Sequence, residues 1–230
     1  MTTLIIATRN AHKVEEIRGI LGAAFQFLTL RNLPNAPAVI EDANTFAGNA
    51  TKKAVELARW VSSQPATFKL QPSTLTYILA DDSGLEVDAL HGAPGVHSAR
   101  FAALDTEASG NSSDADNNAK LLRLLADVPL GRRTARFRCV IALMPLLRAE
   151  ASRASPVCAA DEFELQTEIF DGTCEGRISF APSGTKGFGY DPLFVPDGFQ
   201  QSFAELGEEV KNRISHRAKA LEKLRTRLRS

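Results

Sequence analysis

Cysteine is scarce in this chain, neither sign of charge is in excess, and no apolar run approaches the length of a membrane span. The three cysteines, Cys139, Cys158 and Cys174, are odd in number and far apart, with neither CxxC spacing nor a histidine cluster beside them. That spacing argues against a disulfide framework and against a zinc site, and a reducing compartment suits it best. Twenty-seven basic residues balance twenty-seven acidic ones, so no net field favours duplex nucleic acid and any anion site has to be local. The longest apolar run, Val140 to Leu147, falls far short of the roughly 20 residues a membrane helix needs. With no secretory apolar core at the N-terminus either, the expectation is a cytoplasmic protein with neither membrane nor nucleic acid as partner.

What is present is ordinary globular material: 230 residues, 44% hydrophobic and 23% charged, enough to bury about 70% of the unfolded surface without staples. Leu4 to Ala7 reads as a short strand, Thr8 to Asn10 as a loop, and Val14, Ile17, Ile20 and Leu21 recur at helical spacing. Thr45 is placed to cap a second helix whose apolar face carries Phe46, Ala50, Ala54, Leu57, Ala58 and Val61, with Lys53 on that same face. Ser62 to Thr76 reads as a surface loop before a strand at Tyr77 to Ala80. A third helix is marked by Ala119, Leu121, Leu122, Leu124 and Leu125 and is stopped by Pro129. Arg132 to Leu143 then alternates, with Ala135, Phe137, Cys139, Ile141 and Leu143 on one face and Arg136 and Arg138 on the other. Arg148 to Asp161 is a polar excursion, and Phe163 to Ile178 offers return strands. Strands interleaved with helices predict an α/β protein with an extended mixed β-sheet flanked by helices, a single two-lobed domain over residues 1–230.

Four segments can carry chemistry. Thr8, Arg9, Asn10, Ala11, His12 and Lys13 lie where a strand hands over to a helix N-terminus, whose free amides and dipole favour an anion; a capping Asn followed by a solvated Lys accounts for the same residues. Asp81 and Asp82 are read as the end of a strand, followed by Ser83 and Gly84, and with Glu41 they make a hard oxygen set suited to Mg2+. The alternative is that Asp82, Ser83 and Gly84 only build a turn. Phe188, Gly189, Tyr190 and Asp191, after Lys186 and Gly187, combine permissive backbone with rings that suit a purine, or else form a turn with core aromatics. Near the C-terminus, Ser215 is placed to cap a new helix, bringing His216 and Arg217 into its first turn near Lys211. A neutral imidazole and a guanidinium can both donate to a carbonyl such as purine O6. Leu221, Leu224 and Leu228 form the apolar stripe of that helix, and most of its charges are a solvated face.

These pieces occur in the order of one family. IIATRNAHKVEEI at the start, EDANTFAGNATKKA from Glu41, LADDSGLEVDALHGAPGVHSARFA from Leu79, GFGYDPLF from Gly187 and SFAELGEEVKNRISHRAKAL from Ser202 resemble the inosine and xanthosine triphosphate pyrophosphatases over nearly the full chain. The resemblance implies a homodimer of α/β subunits, each with two lobes and a nucleotide cleft between them. It implies hydrolysis of ITP, dITP and XTP to the monophosphate and pyrophosphate, removing these nucleotides from the pool. Carried over by position, Thr8 to Lys13 and Lys53 hold the triphosphate, Glu41 and Asp82 bind Mg2+, and Asp82 is the general base. Ser83, Phe188 to Asp191, Lys211, His216 and Arg217 complete the pocket, the last two reading the base. Arg9, Ala43 and Ala218 stand where members often have glycine, and His97 where they often have tyrosine; Arg9 alters the shape expected of the phosphate loop. Ser62 to Thr76 and Arg148 to Asp161 are longer than usual. A pyrophosphatase for pyrimidine or modified nucleotides, and a noncatalytic nucleotide-binding regulator, are the two rival readings.

Overall fold

The computed structural model describes residues 2–64, 75–105, 110–146 and 166–229. The greater part of the loop at 62–76, all of 148–161 and Cys158 lie outside them. Six strands, β1 (Thr2–Ile6), β2 (Phe25–Thr29), β3 (Thr76–Val87), β4 (Thr134–Pro145), β5 (Glu168–Ile178) and β6 (Phe194–Pro196), form one sheet in the order β2-β1-β3-β4-β5-β6. β1 runs parallel to both β2 and β3, while β5 and β6 are antiparallel, so the sheet is mixed as expected. The helices are α1 (Ala11–Leu21), α2 (Phe46–Ser62), α3 (Asp114–Leu124), α4 (Phe203–Ile214) and α5 (His216–Arg229). No helix among the described residues is long and apolar enough to cross a membrane.

The chain divides into two compact units, one of Met1–Asp82, Val140–Phe170 and Leu221–Ser230, the other of Ser83–Cys139 and Asp171–Ala220. In the first, Leu4, Ile5 and Ile6 of β1, Ile78 to Ala80 of β3 and Ala142 to Met144 of β4 are buried in unbroken runs, the pattern of strands covered on both faces. α2 buries Ala50, Ala54, Leu57, Ala58 and Val61, the face its period marks out, and carries Asn49 and Lys53 in with it. In the second unit one core cluster joins Leu85, Val87, Leu121, Phe137, Phe194 and Phe203 among others. Phe137 packs there against Phe194 with ring centroids 4.7 Å apart. Cys139 and Cys174 are free thiols, both buried, and burial pushes the Cys174 thiol up to about 11, so it stays protonated.

Three elements differ from the sequence reading. β2 and β6, of five and three residues, were too short to stand out from their surroundings. More consequentially, β3 does not stop at Ala80. It spans twelve residues from Thr76, continuing through Asp81, Asp82, Ser83 and Gly84 to Val87, which replaces both the strand end and the turn. The parallel pairing of β1 with β3 ends at Ile6 and Leu79, so the aspartates begin where β1 gives out and its following loop begins. The rule that ligands sit beyond the carboxyl ends of strands therefore still holds, with β1 as the strand that ends.

Gly172 of β5 lets α5 approach. A Cβ there would overlap the carbonyl oxygen of His216 and stand 2.6 Å from the Ala220 nitrogen, both of them backbone atoms. Gly172→Ala is expected to cost about 1–3 kcal/mol in denaturant unfolding, the usual scale for overpacking. It is also expected to weaken any ligand contact made by His216 or Arg217, since it displaces the turn that carries them.

Candidate active site

In the first unit the loop after β1 folds as a helix entry. Asn10 caps α1, its Oδ1 accepting from the Lys13 amide at 3.2 Å, and its own amide donates to Thr8 Oγ1 at 3.2 Å. The cap places Lys13 in the first turn of α1, where its ammonium donates to Asp81 Oδ1. Arg9 turns elsewhere, donating to the carbonyl of Ala36 at 3.1 Å and so tying the loop to the segment that leads to Glu41. His12 is exposed and lies 3.9 Å from the Glu15 carboxylate.

The centre of this unit is Lys53. Its ammonium donates to Glu41 Oε2 at 3.0 Å, to the Asp81 carbonyl at 2.7 Å and to Asp82 Oδ1 at 3.3 Å. Asn49, one turn earlier on the same face of α2, donates from Nδ2 to Asp82 Oδ2 at 3.1 Å and accepts the Ala43 amide at 2.9 Å. Asp82 is thus gripped at both oxygens from one helix face. Burial pushes its carboxyl up to about 6, the Glu41 charge adding to this while Lys53, Lys13 and Asn49 oppose it. Burial acts to raise Glu41 as well, but the charge and hydrogen bond of Lys53, with hydrogen bonding to Asp82, outweigh it and hold Glu41 below its ordinary range.

In the second unit Arg217 is 1% exposed and donates to Ser83 Oγ at 2.8 Å, and the His216 ring stacks on Phe137 with centroids 4.8 Å apart and planes 13° from parallel. Ser215 ends α4 by donating its amide to the Lys211 carbonyl and starts α5 by accepting the Ala218 amide, which is why Lys211, His216 and Arg217 fall within two turns. Lys211 donates to Asp191 Oδ2 and lies 4.5 Å from the centre of the Phe188 ring. Asp191 Oδ2 also accepts the Phe188 amide at 2.9 Å. Gly187 has φ 79°, and a Cβ there would overlap that same Asp191 oxygen, so only glycine fits. Tyr190 is 3% exposed and donates to the Ser98 carbonyl at 2.9 Å, so its ring belongs to the core rather than to a stacking face; Phe188 is half-buried.

Of the residues singled out from sequence, Lys13, Glu41, Lys53 and Asp82 converge with Asp81 in the first unit, and Ser83 meets Arg217 while Phe188, Asp191 and Lys211 meet one another in the second. Arg9 and His12 are not drawn into the acid–lysine cluster by any of these bonds. Asn49 was missed, although its signal was available: a polar residue four positions before Lys53 on an apolar helix face shares that side chain's direction.

The class these features define is an α/β protein whose mixed sheet gathers paired carboxylates and lysines where its first strand ends. The chain belongs to the Ham1 family, whose model matches residues 4–227. It is 43% identical to the dITP/XTP pyrophosphatase of Opitutus terrae, with 94% of each chain covered, and 44% identical to that of Desulforamulus reducens, covering 96% of this chain and 92% of the relative. A solved HAM1 protein from Coxiella burnetii superposes with a TM-score of 0.74 at 35% identity over 99% of this chain and 98% of its own.

Proposed function

We propose that this chain hydrolyses non-standard purine nucleoside triphosphates, ITP, dITP and XTP, to the monophosphate and pyrophosphate with Mg2+, as the names of its relatives suggest. The observation that carries the chemistry is the cluster of Glu41, Asp81 and Asp82 around Lys13 and Lys53. Glu41 and Asp82 both accept from the one Lys53 ammonium, and the pair suits an ion that takes one or two carboxylates together with phosphate oxygens and water. Among the described residues no group of three or more His, Cys, Asp or Glu is placed to hold a metal; at Glu41 and Asp82 the ion would complete its shell with phosphate oxygens and water. Bound there, Mg2+ would neutralise charge on the phosphates and on the departing pyrophosphate.

The chain's own residues supply the rest. Lys13 and Lys53 exchange carboxylate partners for phosphate oxygens, and the α1 N-terminus adds its amides and dipole. Asp82, basic enough near neutrality to take a proton, orients and deprotonates the water that attacks the α-phosphorus. Ser83, Lys211, His216, Arg217 and the Phe188–Asp191 segment hold the nucleoside, His216 and Arg217 donating to O6, where adenine presents an amino group instead. A site built to bond a defining group rejects the analogue that mispairs it, because buried donors left facing donors are costly. The homodimer, the cytoplasmic location and the two units acting as lobes of one domain belong to the same proposal.

A panel of ITP, XTP, GTP, ATP and dTTP with Mg2+, read by monophosphate and pyrophosphate, tests it. ITP and XTP are expected to turn over at least ~100-fold faster than ATP in kcat/KM, the scale such pockets reach. Preference for dTTP would point to the pyrimidine reading, and no pyrophosphate from any member to a regulator.

A further inference from the structure

Gly189 is gripped through its backbone on both sides. Its amide donates to Asp114 Oδ2 at 2.7 Å, and its carbonyl accepts from Asn118 Nδ2 at 2.9 Å. Asp114 and Asn118 stand four residues apart on α3, so one helix face presents an acceptor and a donor a single turn apart, matched to the N–H and C=O of one residue. The neighbouring Asn117 is used differently, accepting the Ala102 amide and donating to the Ala99 carbonyl within the wall of the unit.

The residue that is gripped is the one with most freedom. Gly189 has φ 62°, and a Cβ placed on it would meet nothing within 4 Å, so packing does not hold it. Its neighbours are fixed by other means: the Phe188 amide by Asp191, and the Tyr190 hydroxyl by Ser98. Asn118 is 8% exposed and its Oδ1 has no hydrogen-bond partner, an arrangement that costs stability; what the amide gains in return is the bond to Gly189. Asp114 is exposed, so the fold depends little on its side chain.

We infer that Asp114 and Asn118 are positioning residues for the nucleotide, fixing the Phe188–Asp191 segment in its binding shape before substrate arrives. The inference rests on the nucleotide reading of that segment. Ordering a glycine-containing loop in advance removes an entropic cost otherwise met on binding, so the clamp acts on affinity rather than on the chemical step.

The test compares wild type with Asp114→Ala, Asp114→Asn, Asn118→Ala and Asn118→Asp in steady-state hydrolysis of ITP with Mg2+, well below each variant's Tm. KM is expected to rise roughly tenfold in Asp114→Ala and Asn118→Ala while kcat stays within about threefold. Asp114→Asn, whose amide oxygen can still accept, is expected to restore most of the loss. Asn118→Asp, which sets a carboxylate against the Gly189 carbonyl, is expected to be worse than Asn118→Ala. Unchanged KM in both alanine variants, or equal impairment of Asp114→Asn and Asp114→Ala, overturns the inference. Inactive wild type would instead refute the pyrophosphatase reading, and the clamp is then read without nucleotide: exchange of the Gly189 amide hydrogen has to speed up in Asp114→Ala, and unaltered exchange overturns it.

Discussion

Asp82→Asn is expected to slow pyrophosphate release at least ~100-fold, the usual scale for loss of a general base, while making the metal-free protein more stable at neutral pH. The two effects share one cause. Asp82 is 5% exposed, and burial raises its carboxyl from 3.8 to about 6. The folded state therefore holds a proton more tightly than the unfolded chain does. Stability from this group is fully present below 3.8 and is lost as pH rises through about 6. At pH 7.5 the ionised carboxylate is a liability of order 2–3 kcal/mol, by the conversion of roughly 1.4 kcal/mol per pKa unit. Asparagine removes the charge but sets an amide donor against either Asn49 or Lys53, so the net gain should be nearer 1 kcal/mol. In EDTA, the Tm of Asp82→Asn should exceed that of wild type at pH 7.5, and the difference should shrink towards pH 4. A variant less stable than wild type at pH 7.5 would remove burial as the cause. An active variant would remove Asp82 from the mechanism.

The elements that position this site were legible where a single physical signal decided them. The α2 face was set by its period and by the Thr45 cap, the entry of α1 by Asn10, and the α4 to α5 boundary by Ser215; each is a local rule that operates before tertiary contacts form. The continuation of β3 through Asp81 and Asp82 was not legible, because two adjacent carboxylates followed by Ser83 and Gly84 carry turn propensity. Lys13, Lys53 and Asn49, all distant in sequence, supply partners that make a buried strand of them tolerable. The same holds for Tyr190. Its composition fits a stacking platform, and only the Ser98 carbonyl, 92 residues away, shows that the ring is spent on the core. Composition could nominate groups for chemistry, but it could not say which were already engaged.

Lys53→Met should show whether the acid cluster is a cation site. Methionine keeps the apolar stem on the buried face of α2 and removes only the ammonium, which serves Glu41, the Asp81 carbonyl and Asp82 at once. Removing one partner of a buried ionic group leaves uncompensated charge, a loss of about 3–5 kcal/mol. The loss should depend on pH in a definite direction. Lys53 opposes the rise of Asp82 and helps hold Glu41 down, so without it both carboxyls shift upward, and a raised carboxyl gives stability at low pH that is lost as pH climbs. The difference from wild type should therefore be small near pH 5 and widen towards pH 8. Mg2+ provides the decisive comparison. If Glu41 and Asp82 form a cation site, millimolar Mg2+ should raise the Tm of Lys53→Met more than that of wild type, because in the variant the ion meets two carboxylates already stripped of their lysine. Activity should stay low even so, since the triphosphate has lost the ammonium that would receive it. Equal Mg2+ responses in the two proteins would show that the carboxylates serve the lysine alone and that the metal binds elsewhere.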